Sequence, residues 1–253
     1  MNWPLKALVA GSMLSLALVG CGSNGGSDSS SGASSASQES TLPRGSEPAN
    51  LDPAEFTTKI DNPYWPMAPG SRWVYREVEN GVVQRVDVTV TNRTKVVDGV
   101  TARIVHDVVS AGGQPIEKTY DWYAQDSSGN VWYLGEDTKE YEHGKVVSTA
   151  GSWEGGVGGA QAGVIMPAHP EVGMSYRQEY DKGNAEDKAR VTSVDAQAKV
   201  PAGSFSGVLQ TRDVNPLETN FVEHKSYARG VGPVETIQVS GGSAHEELIS
   251  YRR

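Results

Sequence analysis

The chain predicts an all-β domain with little α-helix: a curved antiparallel sheet or half-open β-barrel carrying one long ordered loop. Three observations predict it. Apolar and β-branched residues recur with period two, and Asn-Gly or Asp-Gly pairs punctuate the runs. Short strand-like segments also follow one another at roughly 8–12-residue spacing, the rhythm of antiparallel all-β domains. Amphipathic helix is nearly absent, with Pro53 to Lys59 offering a turn or two. No 20–50-residue period suggests a solenoid or propeller.

Ser71 to Val78 alternates loosely and Asn80-Gly81 turns it into Val82 to Thr91, where Val86, Val88 and Val90 share a face. Lys95 to Val97 turns at Asp98-Gly99 into Ala102 to Ser110, and Ala111-Gly112-Gly113 leads into Ile116 to Gln125. Asp126 to Asn130 turns the chain into Val131 to Leu134, and Tyr141 to His143 and Val146-Val147 flank Gly144. Beyond a break come Tyr176 to Tyr180, Ala189 to Val194, Gln197 to Val200 and Gly207 to Asp213. Val222 to Tyr227, Val234 to Val239 and Glu247 to Tyr251 complete the set. The break, Ser148 to Gly173, exceeds the 12–15 residues usual for a connection inside a compact domain. Its Trp153, Val164, Ile165 and Met166 want burial, so it reads as an ordered loop lying across a face or mouth of the sheet.

At the N-terminus, Lys6 supplies a positive charge, Ala7 to Val19 an apolar run, and Leu18-Val19-Gly20-Cys21 a small-residue cleavage site ending in the chain's one cysteine. That layout is a secretory signal, and its run is short of the roughly 18–20 residues a membrane span needs. The cysteine at the cut resembles the lipobox of bacterial lipoproteins. The resemblance implies that residues 1–20 are a signal peptide and that Cys21 is lipidated, palmitate included, as a membrane anchor. Gly22 and Ser23 after the cysteine carry no aspartate, which implies the outer membrane where the host has one and otherwise the outer face of the cell membrane. Residues 21–50 are Ser- and Gly-rich with no aromatic residue, a composition that predicts a disordered tether with an r.m.s. reach of roughly 30 Å. Residues 51–253 form a single antiparallel β domain of ordinary size.

The net charge of −9 becomes −10 once Lys6 is removed with the signal. A chain this acidic lacks the clustered Lys and Arg that nucleic acid requires, so no nucleic-acid partner is expected and membrane attachment rests on the acyl chains. With Cys21 committed to lipid, no thiol remains for a disulfide or a nucleophile. The segment Tyr227 to Glu235 resembles the Tyr-Ala-x-Gly-Val-Gly-x-Val hairpin of bacterial lipoproteins with a LolA-like half-barrel. Ile60 to Pro66 and Asp121 to Asp137 resemble uncharacterised exported β-sheet proteins, which implies fold and cell-envelope location without an activity.

Chemistry is sparse. Gly155-Gly156-Val157-Gly158-Gly159 lacks the strand–helix context and terminal Lys of a phosphate loop. Gly203 to Gly207 places Phe205 where a nucleophilic serine belongs. The five histidines show no zinc spacing, so the metal ligands are unassigned and no cofactor is expected. Adjacent Glu136 and Asp137 face opposite sides of a strand and read as a solvated strand end. Asp126 to Asn130 lacks the spacing of a calcium loop. Trp122-Tyr123 and Trp132-Tyr133 put a ring on each sheet face, so either both faces are covered or one carries a ligand patch. The ligand-binding candidates are therefore Trp122, Trp132, Trp153, Met166 and His169, with no catalytic residue assigned.

The functional expectation is a lipid-anchored envelope binding or accessory protein that presents a β-sheet to an apolar small molecule or an envelope protein, leaning away from an enzyme. Two alternatives stand beside it: a metal-assisted hydrolase using His and carboxylates near residues 148–173, and a purely structural envelope lipoprotein.

Overall fold

The computed structural model describes residues 42–218 and 220–253. The signal segment, Cys21 and the tether to residue 41 lie outside the described residues. A 3₁₀ turn over Pro53–Glu55, capped by the Asp52 side chain accepting from the Ala54 N–H, leads into β1 (Phe56–Thr57). Then come β2 (Arg72–Glu79), β3 (Val82–Val97), β4 (Val100–Ala111), β5 (Gln114–Asp126) and β6 (Val131–Glu142). The short β7 (Lys145–Ser148), β8 (Trp153–Glu154), β9 (Gln161–Met166), β10 (Ser175–Arg177) and β11 (Glu179–Tyr180) follow. The second half is β12 (Lys188–Val200), β13 (Gly203–Val214), β14 (Val222–Ala228), β15 (Gly232–Ser240) and β16 (His245–Arg252).

The main sheet runs β10-β12-β13-β14-β15-β16-β2-β3-β4-β5-β6-β9-β11, every neighbour antiparallel. Its two edge strands, β10 and β11, are separated in the chain by Gln178 alone, so the sheet comes round on itself as a barrel with one seam. The Gln178 N–H reaches the Asp187 carbonyl (2.7 Å) beside that seam. Gly163 on β9 lets the chain pass, because a Cβ there would stand 2.2 Å from the Gln178 carbonyl oxygen.

Several expected breaks are bulges in longer strands. β3 runs unbroken through Asn92-Arg93, with the register slipping between Val90 and Thr94 and the Thr91 hydroxyl donating to the Ile104 carbonyl (2.7 Å). β12 joins the two segments expected at 189–194 and 197–200 through successive register shifts. β6 continues past Gly135, whose φ of +138° and whose missing Cβ, 2.4 Å from the Trp153 carbonyl oxygen, admit the crossing β8. An extra residue bends a strand and increases its twist, which a closing sheet needs.

The segment 148–173 is ordered, as expected, but much of it is wall rather than loop. Trp153–Glu154 pairs with β6 near Gly135, and Gln161–Met166 pairs with β6 around Trp132. The Gly155–Gly159 run is the turn between them, the Gly156 N–H bonding the Ala160 carbonyl (2.9 Å). A glycine-rich stretch masks flanking strands because it dilutes the alternation by which strands are recognised.

One core lies inside the barrel and a second, around Val97, Ala102, Ile104, Trp122 and Leu134, lies on its outer face. Ala49, Leu51 and Phe56 cover that outer cluster. Both sheet faces around the tryptophan pairs are thus covered, which leaves no exposed aromatic patch there. The last part of the Ser/Gly segment is also held: Arg177, fully buried, donates to the carbonyls of Gly45 and Glu47 and to that of Ala162 (2.9 Å), while its own N–H bonds the Pro43 carbonyl. A buried guanidinium needs its donors satisfied, and backbone from residues 43–47 satisfies them.

Candidate functional site

One end of the barrel is closed by Ile60–Met67. Asn62 is its anchor, donating to the carbonyls of Gly129 (3.1 Å) and Pro167 (3.0 Å) while its side-chain oxygen accepts from the Tyr64 N–H (2.9 Å). The Gly230 N–H in the β14–β15 turn bonds the Pro63 carbonyl (2.6 Å). Trp65 is thereby pushed into the barrel, edge-on to Tyr123 (5.7 Å) and tilted against Tyr227 (6.0 Å). Trp73 and Tyr75 tie the same end down, their N–H and O–H donating to the carbonyls of Val231 (2.8 Å) and Pro233 (3.1 Å).

Above this aromatic floor lies a cavity of about 330 Å³. Its rim is Glu79-Asn80 from the β2–β3 turn, Glu218 and Phe221 from the β13–β14 connection, and Gly241-Gly242 from the β15–β16 turn. The walls follow from strand alternation: the inward phase of β2 carries Trp73, Tyr75 and Glu77, that of β5 Glu117, Thr119, Asp121 and Tyr123, and that of β14 Glu223, Lys225 and Tyr227. Apolar residues therefore cluster at the floor and acids towards the mouth. Asp107, Asp121, Glu179, Asp187, Glu223 and Glu246 line the cavity with Glu79 and Glu218, against one cation, Lys225.

Crowding so many carboxyls away from bulk water changes their acidity. Desolvation first, then neighbouring carboxylates, hold Asp107, Glu136 and Glu179 well above the usual carboxylate range. Burial lifts Asp121 to about 6, against hydrogen bonds that include the Tyr133 hydroxyl at 2.8 Å. Asp187, Glu223 and Glu246 reach about 7, and Glu77 and Glu117 about 8, burial being the first cause in each. Burial alone lowers Lys225, but Asp213 and Glu223, each 3.4 Å away, outweigh it and raise its affinity for the proton. Oε1 of Glu179 and of Glu223 makes no hydrogen bond to the protein, and neither does Asp107 Oδ1. The Trp65 indole N–H is likewise without a protein acceptor.

None of the five residues expected around a ligand lines this cavity. Trp122 belongs to the outer cluster with the Lys95 ammonium 3.5 Å over its ring. Trp132 packs edge-on to Phe56 (6.1 Å) and donates to Asp126 (2.8 Å). Trp153 is buried against Tyr133, its indole N–H donating to Glu179 (2.9 Å), and Met166 is buried in the main core. His169 is exposed in the connection after β9. Glu136, read from sequence as a solvated strand end, is instead 1% exposed, because its strand phase points into the barrel. Among the described residues, one trio of His and carboxylates brings its ligand atoms within 4.8 Å: Glu235, His245 and Glu247. It sits on the outer wall of β15–β16, remote in sequence from residues 148–173.

Neither the protein-family models nor the curated proteins contain a match to this chain. Among solved structures, a protein from Parabacteroides distasonis described as a candidate lipoprotein is similar over 75% of this chain and 98% of its own, at 13% identity and a TM-score of 0.41.

Proposed function

We propose that this chain is a lipid-anchored binding protein of the cell envelope that holds a small ligand inside its barrel. The observation that carries the reading is the cavity: closed at one end by Ile60–Met67, open at the other between three turns, and about 330 Å³ in volume. That size lies within the range of roughly 300–1,000 Å³ usual for small-molecule sites. The ligand seat is the inner face of the sheet, since the outer face over β3–β6 is covered by residues 49–56. The anchor follows from the lipobox-like Leu18–Cys21, which would place the barrel at a membrane surface through acyl chains.

Native mass spectrometry of the full chain purified from membranes tests the binding. A small-molecule adduct on the native protein that disappears in Val88→Trp, which fills the cavity from β3, is the expected result. An adduct that persists in a folded Val88→Trp protein, or no adduct on either, overturns the reading.

A further inference from the structure

The cavity has a charge preference that identifies the class of molecule it suits; this step rests on the binding reading above. We propose that the barrel binds a small organic cation, an ammonium group carried on an apolar body. Two independent features of the same cavity carry the proposal. The first is the set of unpartnered acceptors. Glu179 and Glu223 are each 2% exposed, both line the cavity, and Oε1 of each makes no hydrogen bond to the protein. Lys225 engages Glu223 through the other carboxylate oxygen and is shared with Asp213, so it leaves these acceptors unsatisfied. Buried acceptors favour a ligand that donates. Burial raises the proton affinity of both carboxyls, and an ammonium brings N–H donors together with the positive charge that holds them ionised. An anion would meet eight carboxyls with one lysine to offset them.

The second feature is the floor. Trp65, Tyr123, Tyr133 and Tyr227 present rings to the cavity, and ring faces attract cations while packing against hydrocarbon. A bare metal ion fits less well. The cavity acids do not form a trio with ligand atoms within 4.8 Å, whereas the outer-wall group of Glu235, His245 and Glu247 does. A single ion needs several oxygens converging on it, and spaced carboxyls suit a ligand that extends between them.

The test compares three probes with one body and three head charges: hexylammonium, hexanol and hexanoate, titrated calorimetrically into the full chain at pH 7.5. Hexylammonium should bind at least tenfold tighter than hexanol, hexanoate should not bind, and Asp107→Asn and Glu179→Gln should each weaken hexylammonium about tenfold while melting normally. If hexanol or hexanoate binds as tightly, the cation proposal is overturned while the cavity reading survives. Silence from all three also overturns the cation proposal, and the Val88→Trp comparison then decides the cavity reading separately. Should either polar variant fail to fold, the ranking of the three probes on the native chain still decides.

Discussion

Glu77→Gln should stabilise this protein, and increasingly so as the pH rises. Glu77 is 2% exposed on β2, facing Gln84 on β3 and Glu246 on β16, with Oε1 unpartnered. Desolvation, then the charges of Glu246, Glu79, Glu223 and Glu117, raise its pKa from 4.5 to about 8. A carboxyl whose folded pKa is raised binds its proton more tightly in the native state. Its contribution to stability is therefore complete below the unfolded value of 4.5 and is lost as the pH climbs towards about 8. At about 1.36 kcal/mol per pKa unit, the shift caps the loss at about 5 kcal/mol above pH 8. The neighbouring acids titrate with it and relax when one is removed, so about 2–3 kcal/mol at pH 9 and under about 1 kcal/mol at pH 5 are expected. Glutamine keeps the shape and cannot ionise. Urea unfolding followed by tryptophan fluorescence, at pH 5, 7 and 9 on both proteins, measures the difference. A gain that stays flat across this range, or a variant less stable than the native chain at pH 9, would refute the assignment of Glu77 as a desolvated acid.

Three further outcomes follow from the same structure. Gly163→Ala, which drives a Cβ to 2.2 Å from the Gln178 carbonyl oxygen, should cost about 2–3 kcal/mol by overpacking the seam; an unchanged melting temperature would mean that β9 and Gln178 do not pass so closely. Trp153→Ala should cost about 3–5 kcal/mol as a large core truncation, and Trp153→Phe less, since it keeps a ring against Tyr133 but leaves the Glu179 acceptor bare; equal losses in denaturant titrations would show that the indole N–H carries the whole effect. Cys21→Ser should move the protein out of the membrane fraction with its melting curve intact, and a processed, folded variant that stays membrane-bound would contradict the lipid anchor.

The antiparallel character of the fold was legible because its turns are written in residues with few other uses. Asn80, Asp98 and His143 adopt positive φ, each followed by glycine, and each joins strands where the sequence suggested a turn. The barrel's closure was not legible. It depends on β9, a short strand set behind the Gly155–Gly159 run, on β11, which is only Glu179–Tyr180, and on a single residue, Gln178, between the two edges. Bulges were invisible for a related reason. A residue such as Gly135 reads as an interruption, and only its pairing with Trp122 on β5 and Glu154 on β8 shows that the strand continues.

The sequence carried a signal for the site that residue-by-residue reading missed. In a half-buried sheet the phase carrying the large aromatic residues faces the core, and here the same phase carries acids: Glu77 follows Trp73 and Tyr75, Asp121 precedes Tyr123, and Glu223 and Lys225 precede Tyr227. Acids in the aromatic phase are either a strand end emerging into water or a polar interior. Adjacent strands separate the two, because a strand end exposes one acid whereas a polar interior aligns several across the ladder. The register supplies that alignment: Glu77 stands opposite Glu246, Glu246 opposite Thr236, and Thr236 opposite Lys225. Single-residue signals such as His169 or the tryptophan pairs carry no such cross-strand information. The signal that locates this cavity is a row, and rows appear only once strand pairing is known.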